Sequence, residues 1–137
     1  EEQYHATRRR LDEMLAEVGA SVLATYHCPH APDAQPPCEC RKPSPGLYLR
    51  AAAEHHLDLA RSVYVGDRLR DILPGLRAGG VGYLLTGRKD PDAGVSPESA
   101  LGGSDPGVSP VEGRIYRVSS LAEAVDHILA PRSAPGR

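Results

Sequence analysis

The feature that most constrains this sequence is residues 26–43, a short segment that contains all three of its cysteines. Cys28 and His30 have one residue between them, as do Cys38 and Cys40, and the loop between the pairs is rich in proline. Two pairs of soft donors that close a short loop are typical of a tetrahedral zinc site with three thiolates and one imidazole. The alternative is a set of incidental cysteines with one disulfide, but an odd count leaves one thiol over. We therefore predict a closed, structural zinc site in a loop over residues 27–43.

The composition fits one globular domain. The chain has 137 residues, of which 40% are apolar and 25% are charged, and its formal net charge is -2. This near-neutral balance gives no electrostatic reason to expect a nucleic-acid or membrane partner. No apolar run reaches the ~18 residues that span a bilayer, and the N-terminus lacks the apolar segment of a signal peptide. With its cysteines reduced, the protein is expected in the cytoplasm.

Hydrophobic periodicity predicts an α/β fold. Apolar residues at helical spacing alternate with short apolar runs, and such short strand, helix and strand units are typical of a parallel sheet with crossover helices. Pro74 falls inside one predicted helix, where proline is tolerated only near the first turn. The predicted helices cover residues 1–18, 47–57, 69–78 and 121–129, the last capped by Ser119 and Ser120, and the predicted strands cover residues 21–26, 63–65, 81–85 and 115–118.

Residues 87–113 differ in composition from the rest of the chain. Glycine and proline recur throughout this stretch, and its apolar residues show little periodicity. Such a composition buries too little apolar surface to offset the entropy of ordering. We expect a flexible insert here, within a single domain that covers residues 1–137.

Two carboxylates follow the predicted strand over residues 63–65. Asp67 comes directly after Gly66, and Asp71 lies four positions further on. Open α/β sheets bind ligands at the carboxyl ends of their strands, and carboxylate oxygens there suit Mg²⁺ and, through it, a phosphate. The alternative is structural, because Asp67 is also well placed to cap the helix that follows.

Two basic residues, Arg41 and Lys42, directly follow Cys40. A pair of this kind usually only solvates a loop. Here the pair follows the predicted metal loop, whose rigidity would aim both cations at an anion.

Taken together and in this order, these motifs resemble the haloacid-dehalogenase-type (HAD) phosphatases of the heptose-bisphosphate and histidinol-phosphate branch. Residues 28–30, 38–46 and 65–71 carry the likeness, and residues 86–89 resemble the Thr-Gly-Lys that follows the next strand in that family. The Arg-Lys-Pro-x-Pro-Gly run favours the heptose enzymes, whereas the short metal loop is also compatible with the histidinol-phosphate enzymes.

The resemblance implies a fold, two metals and a substrate class. The fold would be the C-terminal part of a HAD-like, Rossmann-type parallel sheet with flanking helices and a zinc-bound loop. The activity would be Mg²⁺-dependent hydrolysis of a sugar phosphate through an aspartyl-phosphate. The roles that carry over are zinc ligation by Cys28, His30, Cys38 and Cys40, stabilisation of the phosphoryl charge by Lys42, substrate contact by Arg41, Mg²⁺ ligation by Asp67 and support of that Mg²⁺ by Asp71.

The nucleophile motif of that family is absent from these 137 residues. In the family, an N-terminal Asp-x-Asp-Gly-Thr segment supplies the aspartyl nucleophile and the general acid/base, and a Thr or Ser on the next strand holds the phosphoryl group. We therefore expect an N-terminally incomplete domain that is inactive alone. A longer form of the chain or a separately encoded N-terminal segment would complete the site. The alternative is a non-catalytic, zinc-stabilised module that binds phosphate.

Overall fold

A computed structural model describes residues 2–31, 33, 35–87 and 114–130. Helix α1 spans Glu2–Glu17 and helix α2 spans Gly46–His55. A 3-10 turn at Leu59–Arg61 leads into strand β1 (Val63–Gly66), helix α3 (Leu69–Arg77) and strand β2 (Val81–Leu85). Strand β3 (Ile115–Val118) and helix α4 (Leu121–Leu129) complete the described elements.

The described strands form one parallel sheet in the order β1-β2-β3. Val63 lies opposite Val81 at the start of the first strand pair, and Gly82 lies opposite Ile115 at the start of the second. Parallel neighbours need a crossover connection, and α3 provides the one between β1 and β2. The predicted α/β fold, with a parallel sheet and flanking helices, is confirmed.

The core has one layer on each face of this sheet. Neighbouring strand residues point to opposite faces, so Leu84 packs in the layer under α3 whereas Tyr83 packs in the layer under α4. Ile72 and Leu76 of α3 are fully buried. The buried members of the α3 layer are Tyr64, Leu69, Ile72, Leu73, Leu76 and Leu84, and those of the α4 layer are Tyr83, Val118 and Ala124.

Strand β1 lies at one edge of the described sheet and is covered on one face. Its Tyr64 is buried in the α3 layer, whereas Val63 and Val65, which point to the other face, are 44% and 38% exposed. Helix α4 lies on that other face but packs against β3, at the far side of the sheet. The core is therefore thickest around β2 and thins toward β1.

One predicted strand is wrong. Residues 21–26 form no strand, and Val22 and Leu23 are 45% and 77% exposed. A strand is stable only when its backbone groups pair with a neighbouring strand. The described sheet consists of β1, β2 and β3, so this apolar run has the local sequence of a strand but no partner among the described residues.

The place of Pro74 also differs from expectation. The helix predicted over residues 69–78 forms as α3, yet Pro74 lies beyond its first turn. Proline lacks the N–H that would bond the carbonyl of Arg70, four residues earlier in the helix. Arg70 is exposed, and a carbonyl at an exposed position can be hydrated instead. The helix therefore continues past the proline to Arg77.

Helix α1 forms where it was predicted, but it buries none of its side chains. Leu11 and Met14, on its apolar side, are exposed. The Tyr4 ring stacks on the ring of His27 with 3.8 Å between the ring centroids. The amphipathic pattern therefore predicted the helix but not how much of it is buried.

Helix α4 begins at the predicted serine cap. The Ser120 hydroxyl accepts a hydrogen bond from the Glu123 N–H at 3.1 Å, and the Glu123 carboxylate accepts one from the Ser119 N–H at 2.7 Å. The bond to Ser120 satisfies an N–H of the first helical turn that has no partner within the helix, and the bond from Ser119 fixes the Glu123 side chain beside the cap. The hydrogen bonds from Ser119 lower the pKa of the Glu123 carboxyl.

Two further sequence expectations concern the glycine- and proline-rich insert and the absence of a membrane-spanning segment. The predicted flexible insert lies outside the described residues, apart from Gly87. Across residues 2–31, 33, 35–87 and 114–130, no helix is long and apolar enough to cross a bilayer.

Candidate metal centre and phosphate site

The predicted zinc ligands come together in one cluster. Cys28 Sγ lies 3.6 Å from His30 Nδ1, 3.5 Å from Cys38 Sγ and 3.1 Å from Cys40 Sγ. All four donor atoms lie within 4.8 Å of one another. A tetrahedron with Zn–S bonds of about 2.3 Å has S–S edges of about 3.8 Å, so a small outward movement of the sulfurs would admit the ion. The cluster could bind zinc.

The thiols influence one another's ionisation. Burial opposes ionisation of Cys38, but hydrogen bonds with the Cys28 and Cys40 thiols and from backbone N–H groups lower its pKa to about 7. The hydrogen bond with Cys28, followed by burial, raises the pKa of Cys40 to about 12. The Cys38 thiolate therefore forms readily near neutral pH while Cys40 keeps its proton. A divalent ion would replace that proton, because thiolates are the form that binds metal.

The loop that carries the cluster is fastened to helix α2. The Gly46 N–H donates to the carbonyl of Glu39, which lies between Cys38 and Cys40, at 3.1 Å. A Cβ at position 46 would come within 2.4 Å of that carbonyl oxygen, so only glycine allows this approach. The start of α2 and the second ligand pair therefore form one packed unit.

Arg41 is held against the first ligand pair. Its Nη2 donates to the backbone carbonyl of His30, and its Nε is buried without a hydrogen-bond partner among the described residues. A buried donor without a partner is costly, and its usual explanation is a ligand or an ordered water. The Arg41 Nε–H therefore remains available, within the loop, to donate a hydrogen bond to a ligand or a water.

Lys42 reaches from the loop to helix α3. Its Nζ lies 2.5 Å from Asp71 Oδ1, and the side chains of Lys42 and Asp71 are 44% and 15% exposed. Asp67 follows β1 directly, at the carboxyl end of that strand. The structure thus brings Lys42 and Asp71 together and places Asp67 at the strand end that precedes α3.

The sequence offered a second interpretation of Asp67, in which it caps helix α3 instead of binding Mg²⁺. The residue in the N-cap position of α3 is instead Arg68, whose side chain makes no capping hydrogen bond. Asp67, the residue named in that alternative, stands one position before the N-cap.

Thr86 joins the ends of the other two strands. Its N–H and its hydroxyl both donate to the carbonyl of Val118, at 2.8 Å and 3.2 Å. Gly87 follows with a φ of 100°, a conformation that favours glycine. Arg88 and Lys89 of the same motif lie outside the described residues.

Pattern analysis did not identify one contact at this site. The Tyr48 hydroxyl, in α2, donates to the backbone carbonyl of Asp71 at 2.6 Å. Burial, and then the Asp71 charge, raise the pKa of Tyr48 to about 12, so the hydroxyl remains a donor at physiological pH. The available sequence signal was one tyrosine between two leucines in the helix, which predicts burial and gives no partner.

Gly66 lets Asp71 approach the end of β1. A Cβ at position 66 would lie 2.6 Å from Asp71 Cβ. We expect Gly66→Ala to lower the free energy of unfolding by about 1–3 kcal/mol, the usual cost of overpacking, measured by denaturant titration. It should also shift the Asp71 amide resonance in NMR spectra.

Gly19→Ala serves as the control for this prediction. Gly19 has a φ of 71°, and no atom lies within 4 Å of a Cβ there. This variant should also lose stability, through backbone strain, but should leave the Asp71 resonance unchanged. An unaltered Asp71 environment in Gly66→Ala would contradict the packing argument.

Comparison with known proteins agrees with the motifs. The sequence profile of the HAD-hydrolase-like family matches residues 39–101. Over 97 residues the chain is 39% identical to D-glycero-beta-D-manno-heptose-1,7-bisphosphate 7-phosphatase of Bordetella bronchiseptica, covering 69% of this chain and 53% of that protein. Over 84 residues it is 40% identical to D-glycero-alpha-D-manno-heptose-1,7-bisphosphate 7-phosphatase of Photorhabdus laumondii, covering 58% of this chain and 46% of that protein. The chain spans about half the length of these curated relatives.

A solved structure is similar as well. The crystal structure of D,D-heptose 1.7-bisphosphate phosphatase from B. bronchiseptica, complexed with magnesium and phosphate, matches with a TM-score of 0.66 and 31% sequence identity. The match covers 92% of this chain and 63% of that chain. The likeness therefore extends over most of the present sequence.

Proposed function

We propose, since this chain belongs to the haloacid-dehalogenase-like hydrolases, that it forms the cation-bearing part of a magnesium-dependent phosphatase for a heptose bisphosphate. One observation carries the proposal: Lys42 Nζ and the Asp71 carboxylate meet at 2.5 Å. This contact joins the metal loop to the sheet edge at which such folds bind ligands.

The proposed chemistry assigns a task to each charged group. Phosphoryl transfer spreads negative charge over the phosphoryl oxygens, and catalysis relies on positioning and on cations that stabilise that charge. Lys42 would supply one fixed positive charge, and Asp71 would hold its ammonium in place. Arg41, with its unpartnered buried Nε, would contact the substrate anion.

Magnesium fits the carboxylate side of this site. Mg²⁺ prefers oxygen ligands and keeps several waters, so a few carboxylates and a phosphate suffice to hold it. Asp67 would be a ligand, and Asp71 would support the ion. When bound, Mg²⁺ would neutralise and orient the phosphoryl group. The similar B. bronchiseptica structure contains magnesium and phosphate, which supports this assignment.

Zinc fits the cysteine cluster and would be structural. Three thiols and one imidazole fill a tetrahedral coordination shell, which leaves no open position for a substrate. The ion would hold the loop rigid, and Arg41 and Lys42, next to Cys40, would inherit that rigidity. The described cysteines are all free thiols, and thiols persist in a reducing compartment such as the cytoplasm, where we place this function.

A heptose bisphosphate is preferred over histidinol phosphate as the substrate. The relatives and the solved structure described above all act on heptose 1,7-bisphosphate according to their names. No observation favours histidinol phosphate or a purely phosphate-binding role.

The test is a fusion protein. The chimera carries residues 1–137 behind the Asp-x-Asp-Gly-Thr-containing N-terminal segment of one of the matched phosphatases. It should release phosphate from heptose 1,7-bisphosphate in a Mg²⁺-dependent manner, because the nucleophile and the cations then meet. The 137-residue polypeptide by itself should show no turnover. An inactive but folded chimera, or turnover by the 137 residues alone, would contradict the proposal.

A further inference from the structure

The ion pair between Lys42 and Asp71 is not sufficient by itself to fix the positions of the two side chains. The Lys42 side chain is 44% exposed, and an ion pair with one partner in water is weak and loosely oriented. The two residues also belong to segments that are far apart in sequence, the metal loop and helix α3. A second contact must fix the distance between these segments if the ammonium is to be oriented.

Tyr48 makes that second contact. Its hydroxyl donates to the backbone carbonyl of Asp71, the residue that pairs with Lys42, at 2.6 Å. Its ring packs against the α3 core layer, with 5.9 Å between the ring centroids of Tyr48 and Tyr64. The rigid aromatic side chain of Tyr48 therefore links α2 to the first turn of α3.

The contacts connect the metal loop, α2 and α3 to one another in a ring. Gly46, two residues before Tyr48, is bonded to the metal loop through Glu39, and Lys42 returns from that loop to Asp71. Gly66 supports Asp71 from the side of β1, where there is no space for a Cβ. Movement of Asp71 relative to the loop would have to break the tyrosine hydrogen bond first.

We infer that Tyr48 is a positioning residue, which fixes Asp71 so that its carboxylate orients the Lys42 ammonium toward the phosphoryl site. The catalytic consequence rests on the proposed function, but the positioning itself does not. Tyr48 acts through Asp71 and need not touch the substrate.

The experiment follows the Lys42 ammonium directly by NMR in the zinc-loaded 137-residue chain. The sequence contains two lysines, Lys42 and Lys89, so Lys89→Arg assigns the signal. An ammonium held on a carboxylate exchanges slowly with water and gives a distinct ¹H–¹⁵N resonance. Tyr48→Phe removes one hydroxyl and keeps the ring, and we expect it to broaden or abolish that resonance.

Tyr64→Phe is the matched control. Tyr64 lies in the same core layer and also donates its hydroxyl to a backbone carbonyl, that of Leu59, at 2.8 Å. This variant should lose similar stability and keep the Lys42 resonance. Three results would overturn the inference: a resonance that persists in Tyr48→Phe, a resonance absent from the unsubstituted chain, or global unfolding of Tyr48→Phe while Tyr64→Phe stays folded.

Kinetics in the chimera provide a second measurement. Tyr48→Phe should lower kcat by about 10-fold and leave KM within about 2-fold, because a misplaced cation affects the transition state more than ground-state binding. Equal effects of Tyr48→Phe and Tyr64→Phe on kcat would refute the positioning role. A chimera without any phosphatase activity would refute the proposed function, whereas the ammonium resonance would still decide the role of Tyr48.

Discussion

Replacing Lys42 with alanine in the chimera is expected to lower kcat by about 10² or more, the range found when one preorganised electrostatic group is removed from an active site. The reason is that negative charge grows on the phosphoryl oxygens in the transition state, and a fixed ammonium stabilises it without reorganisation. KM should change less than kcat, since the lysine contributes more to the transition state than to the bound substrate. Steady-state phosphate release on heptose 1,7-bisphosphate measures both.

Arg50→Ala is the matched control for the loss of a cation. Arg50 lies in α2, its side chain is 65% exposed, and it pairs with Glu54 at 2.7 Å. Removing it changes the net charge by the same amount as Lys42→Ala but leaves the contact between Lys42 and Asp71 untouched. An equal fall in kcat in both variants would point to long-range electrostatics and contradict the specific role of Lys42.

Replacing Cys40 with serine is expected to abolish stable zinc binding. Structural zinc sites contribute about 10–16 kcal/mol of apparent binding free energy, and this becomes folding free energy for the loop around them. Disturbing residues that merely support the ligands already costs up to about 100-fold in affinity, so losing a thiolate should cost more. Metal analysis of protein prepared without chelators should find about one zinc per unsubstituted chain and little in the variant.

His56→Asn is the control for the zinc prediction. His56 is exposed and lies outside the cysteine cluster, and its φ of 54° suits asparagine. This variant should keep its zinc, and limited proteolysis should cut the loop at residues 27–43 only in Cys40→Ser. Acid should also release the ion, because protons compete with it for the thiolates. If the unsubstituted chain contained no zinc, the predicted structural role of the cluster would be wrong.

The sequence predicted those features that depend on local residue patterns. The runs at 63–65, 81–85 and 115–118 became strands because each is mostly apolar and each has a parallel neighbour. The run at 21–26 has the same local character and formed no strand, since pairing depends on residues distant in the sequence. Periodicity therefore identified strand-forming segments and could not decide which of them find a partner.

The candidate site was predictable to a similar degree. The spacing of the cysteines and His30 sufficed to predict that their four donor atoms cluster, because all four residues lie within one loop. The role of Lys42 came from family resemblance, and its contact with Asp71 is a tertiary fact that spacing cannot give. Tyr48 was missed for the same reason, since its partner is a backbone carbonyl of another helix.

The bond between Gly46 and Glu39 makes the order of folding depend on metal. Helix α2 follows Pro45, which provides no side-chain cap, and its Tyr48 is only partly buried against the α3 layer, so one usual source of stability at the helix start is missing. Starting a helix is its slowest and least favourable step, and here the metal loop supplies the missing partner for the first N–H. Once zinc has closed the loop, the carbonyl that accepts this N–H is already in place. The rate at which α2 forms should therefore rise with free zinc concentration, so the ion sets the sequence of folding events as well as the stability of the final state.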